Sequence, residues 1–575
     1  MPTPSTVLLS ALLGACAPGI ERDSIELLSP VEQGIRTSIA LRGVRPTPGE
    51  IQRILDEPAA LPVLIDAWLD EPVFGEIVRD MHDEILLLRG DIATPPPAMG
   101  PLEGLTLEDV HRATSEAPLR LVEDIVVHDR PYTEILTTDQ VMTDAITSIA
   151  WGLAHDPEGP QWQRTTWTDG RPAAGLLSST QLYYRWPSAG DNLHRGRAAM
   201  IRSTFLCDDL SARDVPPPTG GLDASAPMSE PACLACHYDL EPMAAALWGF
   251  KEYLPPRAMR LMMLAQCDPD AIDPDTFGSE PRGEYALEDL CYPLVAYVPA
   301  NETLWAEVDQ PPPALDGQPV EDLAALGQRI VDDPRFARCT ARRFAGFLLQ
   351  QPPEHLPDDL VEELAASFVE TGASAKELVR RIVLSDAFLA RSGGRWPELA
   401  GPRILRPEAV ARQLEALTGF RWLARTDPPR CGLECWGEID LLRSDASGFH
   451  TLLGGFDGVQ LPHPARTPLP SQQLALARLA AEAAAHGVEA DLAEADRGAR
   501  RLLTELPDPL DADPEAVRAQ LTALYLRILA LPPSTQEIDA LHTLYDDALT
   551  RHPDRAGAWR VVIAALLMDP SWMVF

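Results

Sequence analysis

The sequence predicts a mainly α, multi-domain protein of repeated small helical units, with a single Cys-x-x-Cys-His stretch at its centre. Three observations carry that expectation. Apolar residues recur at helical spacing, as in Leu323, Leu326, Ile330 and Val331, or Leu360, Leu364 and Phe368. Pro-rich runs such as DVPPPTGG (214–221) and QPPPAL (310–315) separate the periodic segments as extended connectors. The chain also echoes itself near its two ends.

Taken in order, the periodicity predicts helices over Gly49–Asp56, Leu61–Leu88, Leu119–Val127, Val320–Leu349, Pro357–Phe388, Pro407–Leu417 and Ser471–His486. Gly175–Tyr184 is the best strand candidate. In the echo, IALRGVRPTPGEIQRIL (39–55) leads to LDEPVFGEIVRDM (69–81), and LYLRILALPPSTQEIDAL (524–541) leads to LLMDPSWMVF (566–575). A middle copy shows only its end, in IVDDPRFARC (330–339) and IVLSDAFLAR (382–391). The recurring residues are a Pro-Thr or Ser-Thr turn of capping-box type and an aromatic at an acid-Pro corner. Caps and core positions make the repeat structural.

At 575 residues the chain divides by length into about three or four domains. The composition shifts give a signal segment at 1–16, a helical domain at 17–95, and a helical domain with a short strand at 101–220. A CxxCH module follows at 221–300, then helical domains at 315–395 and 400–575. With 45% hydrophobic and 23% charged residues, real cores can be buried. A net charge of −38 argues against nucleic acid or an anionic bilayer surface as partner. Lys251 and Lys376 are the only lysines and neither follows a glycine, so there is no Walker-type phosphate loop. HExxH, GxSxG and GxGxxG are absent too.

The chain opens MPTPSTVLLSALLGAC, an apolar run too short to span a bilayer that ends in Leu13-Gly14-Ala15-Cys16. This resembles the cleavage box of bacterial lipoproteins, with Cys16 as the lipidated first residue. Plain secretion is the other reading. The expected location is outside the cytoplasm, in the periplasm or at the outer membrane or cell surface, held by a lipid anchor alone. Eight cysteines then remain. If Cys233 and Cys236 are committed elsewhere, six permit three disulfides, and spacing favours Cys267 with Cys291 and Cys431 with Cys435.

EPACLACHYDLEPM (230–243) holds the chemistry. With nine Cys and twelve His in the chain, chance would produce Cys-x-x-Cys-His roughly 0.003 times. Two thiols two residues apart can each bond one porphyrin vinyl group, and the following histidine then lies under the iron. That makes Cys233, Cys236 and His237 candidates for one covalent haem c, with His237 as the metal ligand. A Cys233–Cys236 disulfide and a simple metal site are the other readings. The distal ligand is open among Met259, Met262, Met263, His155 and His194, and Met243 is too close along the chain. DPDAIDPDTFG (268–278) lacks the glycine and distal glutamate of a calcium loop and reads as an acidic turn.

Several stretches occur in a distinctive order: EDIVVHDRPYTEILTTDQVMT (123–143), AAGLLSSTQLYYRWPSAGDNLHRGRAAMIRSTFLCDDL (173–210), CLACHYDLEPMAAALWGF (233–250), LDGQPVEDLAALGQRIVDDPRFARCTARRFAGFLL (315–349) and HTLLGGFDGV (450–459). Together they resemble the exported multi-domain proteins of the planctomycete-type cytochrome group, built from domains of unknown function around a central CxxCH module. Where that group has an Asp-Pro and then Gly-Phe-Ala-Leu-Glu, this chain has Leu240-Glu241-Pro242 and Ala244-Ala245-Ala246-Leu247-Trp248. The resemblance implies c-type haem binding but no reaction. The expected role is a mono-haem redox or electron-transfer component serving an exported redox or sulfatase-like partner. The alternatives are a haem-free scaffold or binding protein with a CxxC disulfide, and a partner in complex carbohydrate breakdown.

Overall fold

The computed structural model describes residues 24–90, 96, 98, 100–188, 192–215, 230–251, 292–425, 437–444, 448–510, 513–551 and 554–575. These residues are mainly helical, with four two-stranded antiparallel pairs among them. Cys16, the pairs Cys267 with Cys291 and Cys431 with Cys435, the three methionines 259, 262 and 263, and the acidic turn 268–278 all lie outside the described residues. No helix among the described residues is long and apolar enough to cross a membrane.

The predicted long helices are real but divided, two of them at acid-Pro corners. Leu61–Leu88 is two helices, Leu61–Leu69 and Pro72–Leu86. Val320–Leu349 is Leu323–Asp332 followed by Pro334–Leu349. Proline disfavours α geometry in the residue before it and lacks an N–H, so it stops one helix and suits the first turn of the next. Pro357–Phe388 becomes Asp358–Glu370, Ala375–Val383 and Asp386–Leu389. Leu119–Val127 is only the second half of Leu107–Val127, which starts at a Thr106–Asp109 capping box and carries Pro118 within it.

The strand expected at Gly175–Tyr184 is absent. Gly175–Ser178 is a 3-10 turn and Thr180–Arg185 a short helix. Leu176 and Leu177 are both buried, so the segment never alternates. Gly175 has φ +53° and sits against Ile135, where a Cβ would stand 2.2 Å from the carbonyl oxygen. That close approach requires glycine. The strand pair nearest in the chain, Gln140–Thr143 with Gln163–Thr166, is four residues a side, and only Val141 and Met142 in it are apolar, too short a run to show as alternation.

The repeats are structural. Thr47 with Glu50 and Ser534 with Glu537 make the same reciprocal capping bonds at the two ends of the chain. The corner aromatics Phe74, Phe336, Phe388 and Trp572 are all buried to 2% exposure or less, as plugs of helical layers should be. The copies also pack on one another. Arg36 donates to the carbonyls of Phe388 (2.9 Å), Ala390 (3.3 Å), Gly401 (2.8 Å) and Phe575 (3.3 Å). Arg45 reaches the carbonyls of Leu529 (2.9 Å), Trp572 (3.0 Å) and Ser571. Ile25–Leu27 pairs with Ala390–Gly393, and Phe575 exchanges main-chain bonds with Arg403. Both ends and the middle of the chain therefore meet at one hub.

Candidate functional site

Cys233, Cys236 and His237 all belong to one helix, Pro231–Ala245. Pro231 at its first position suits the start, and Cys233 and Leu234 donate main-chain bonds to the Glu230 carbonyl. Positions i, i+3 and i+4 fall within roughly 100° of arc, so the two thiols and the imidazole share a face. All three are partly exposed. Further along the chain Met243 and Ala244, and Leu247 just past the helix end, are fully buried in the main apolar cluster, which anchors the C-terminal half of the helix and leaves Met243 in the core.

The helix packs on Arg195–Leu206 and on the Ala314–Leu315 strand. It ends in a tight contact at Gly249, where a Cβ would stand 2.3 Å from the Tyr297 ring, while Phe250 stacks edge-on against the same ring at 4.9 Å. Cys233 and Cys236 are free thiols, and the Cys236 sulfur lies 3.6 Å from the Leu210 carbonyl oxygen.

His237 is held from within its own helix. Its Nδ1 lies 2.5 Å from Oε1 of Glu241, one turn further on, and Nε of Arg195 donates to the same oxygen at 2.6 Å. The Glu241 side chain is fully buried. Burial opposes its ionisation, but the hydrogen bonds from His237 and Arg195 outweigh that and hold the carboxyl below its usual range. With Nδ1 engaged as a donor, the lone pair for a metal is on Nε2. Two unbonded thiols and a tautomer-fixed imidazole on one helical face fit a thioether-linked haem with His237 as its axial ligand. Among the described residues, no group of three or more His, Cys, Asp and Glu side chains is arranged to hold a bare metal ion.

Of the distal-ligand candidates within the described residues, His194 is buried at the start of Arg195–Leu206. Its Nδ1 accepts from Arg197 at 2.9 Å and its ring lies edge-on to Trp248. Burial, and then the Arg197 charge, keep it neutral. His155 is exposed. The structure also contains a disulfide that spacing did not suggest, between Cys207 and Cys339, 132 residues apart. The loop it closes contains the cysteine helix. The part played by Glu241 was missed as well, although its i+4 spacing from His237 was the available signal.

A cavity of about 1,030 Å³ lies elsewhere, between Pro72–Leu86, Leu107–Val127 and Pro407–Thr418. Its wall is an ion-pair network: Arg89 binds Asp80 (2.7 Å) and Glu116 (2.6 Å), and Arg412 binds Asp80 and Glu76 (3.0 Å). The guanidinium charges there are already matched by carboxylates, so the network reads as cohesion between helices.

A family model described as protein of unknown function (DUF1585) matches residues 316–388. The match takes in the helices from Leu323–Asp332 to Ala375–Val383 and stops short of the cysteine helix. Neither the curated proteins nor the solved structures contain a match.

Proposed function

We propose that this chain is an exported, lipid-anchored c-type cytochrome-like protein that passes single electrons to or from an extracytoplasmic partner. The observation that carries the reading is the helix face that presents Cys233, Cys236 and His237 together, with His237 oriented by Glu241. The two thiols would hold the haem through thioethers and His237 Nε2 would ligate its iron; the group supplies a ferric/ferrous couple when bound. The remaining tasks belong to the protein. Met243, Ala244 and Leu247 fix the helix in the core, so the three attachment atoms keep their register. Glu241 fixes the imidazole tautomer, and Arg195 balances the buried carboxylate. The large acidic excess of the chain suits a basic exported redox partner, through electrostatic steering.

The test is production of the full exported chain with cytochrome c maturation machinery. The haem is expected to survive denaturation and acid–acetone extraction, and to stain a band in a denaturing gel. Cys233→Ala or Cys236→Ala should weaken the stain and His237→Ala should spoil maturation. A ferrous form that does not bind carbon monoxide assigns electron transfer; ready binding points instead to an open iron and peroxidase-like or sensing chemistry. Correctly exported protein with neither Soret band nor stained band would overturn the reading in favour of a haem-free scaffold.

A further inference from the structure

We infer that Glu241 is a positioning residue that strengthens electron donation from His237 Nε2 and so holds the redox couple of the module toward its ferric state. The inference rests on the haem reading above and adds a direction to its potential. His237 and Glu241 stand one turn apart on Pro231–Ala245, where i,i+4 side chains meet. The contact is 2.5 Å, from Nδ1 to Oε1, and the carboxylate is fully buried. Its other oxygen, Oε2, is buried with no hydrogen-bond partner among the described residues. The negative charge is therefore directed at His237 and Arg195, both of which approach the single oxygen Oε1.

An Nδ1–H donated to a carboxylate makes a stronger bond than one donated to a neutral carbonyl, and it leaves more electron density on Nε2. Removal from water strengthens that influence. A more electron-rich axial imidazole stabilises the more positive iron, so the oxidised form gains over the reduced one. Arg195 acts the other way. By donating to the same oxygen it draws carboxylate density away from His237. A carboxylate that served only to pair Arg195 and tie two helices together would alter stability on replacement and move the potential only by the through-space loss of its charge.

The experiment is a redox titration of the full haem-loaded chain, followed by absorption, on wild type, Glu241→Gln and Arg195→Gln. Glu241→Gln keeps the shape and an acceptor oxygen but removes the charge. It is expected to shift the ferric/ferrous ratio tenfold toward ferrous, a rise of about 59 mV for one electron. Arg195→Gln leaves the carboxylate to His237 and is expected to shift the ratio the opposite way. A haem-stained Glu241→Gln protein with wild-type potential overturns the inference while leaving the haem reading intact. If Glu241→Gln fails to mature, Arg195→Gln decides alone: a fall in potential supports the inference, and no change or a rise overturns it. Wild-type protein without covalent haem removes the underlying reading, and the inference with it.

Discussion

Two regions of this molecule handle buried charge in opposite ways. At the hub, Arg36 and Arg45 direct their hydrogen bonds to main-chain carbonyls from distant parts of the chain. Burial pulls both guanidinium groups down to about 10, which leaves them protonated at neutral pH. At the cysteine helix, one buried carboxylate serves one histidine and one arginine through a single oxygen. The hub is redundant, since each arginine ties together several segments and no one acceptor is critical. The site depends on one side chain. Redundant carbonyl contacts suit a fixed scaffold, whereas a single charged contact sets the chemistry of one neighbour.

The largest effect expected from breaking this contrast concerns the covalent closure around the site. The Cys207–Cys339 bond closes a loop of 132 residues that includes the cysteine helix, and it joins the end of Arg195–Leu206 to Pro334–Leu349. On chain-entropy grounds a loop that long is worth about 4–5 kcal/mol. Replacing both cysteines by alanine should lower the denaturant midpoint accordingly, and reductant should then have no further effect through this pair. A loss under about 1 kcal/mol would show that the hub and core hold the site region without the bond.

Arg36→Met is the corresponding cut at the hub. It keeps the apolar stem but leaves four carbonyl oxygens without this donor. A loss of about 3–4 kcal/mol is expected in equilibrium unfolding, because several buried carbonyls lose a charged donor at once, while the Phe575 carbonyl keeps another, the Arg403 N–H. Glu241→Gln should cost far less stability while moving the redox couple. If the two variants exchanged those phenotypes, the division between scaffold and site would be mistaken.

Much of the scaffold was legible in the sequence because its signals are local. Helical periodicity, capping boxes and acid-Pro corners each act within one turn, and the four corner aromatics are core residues as their repetition implied. Two of the splits followed from prolines already visible at 72 and 334, whereas the breaks within 357–388 fall where there is no proline. The hub was not legible: no local pattern marks Arg36 or Arg45, since their acceptors lie between 352 and 539 residues away. The Cys207–Cys339 pair was hidden by the same distance. The Gly175 turn deceived because β-type residues there obey a close contact with Ile135, a constraint no local pattern carries. Cys233, Cys236 and His237 were in view from their spacing, which puts them on one helix, and Glu241 was in view without a role assigned.

The last expected effect is also a matter of buried charge, this time one that titrates. His82 lies in the core, its Nδ1 donating to the Val78 carbonyl at 2.6 Å and its Nε2 accepting from the Tyr132 hydroxyl at 2.7 Å. Burial pushes its pKa down to about 4. In the unfolded chain it protonates near 6.5, so its contribution is fully present above that pH and is lost as pH falls toward 4. The loss is roughly 3 kcal/mol. Its neighbour Asp83 has the opposite sign. Burial first, then the Glu116 and Glu408 charges, raise its carboxyl to about 6 against the pull of Arg89. The folded chain therefore takes up that proton before the unfolded one does, and Asp83 adds a similar amount as pH falls from 6 toward its ordinary value. The two offset each other in the wild-type protein. Asp83→Asn leaves His82 unopposed, so its stability should fall more steeply than wild type between pH 6.5 and 4, by roughly 3 kcal/mol over the range. Urea unfolding of both proteins at a series of pH values measures the difference of slopes, in which the titrating groups not coupled to Asp83 cancel. Parallel slopes would mean that Asp83 is ionised throughout and that the helix carrying both residues is wetter than its packing shows.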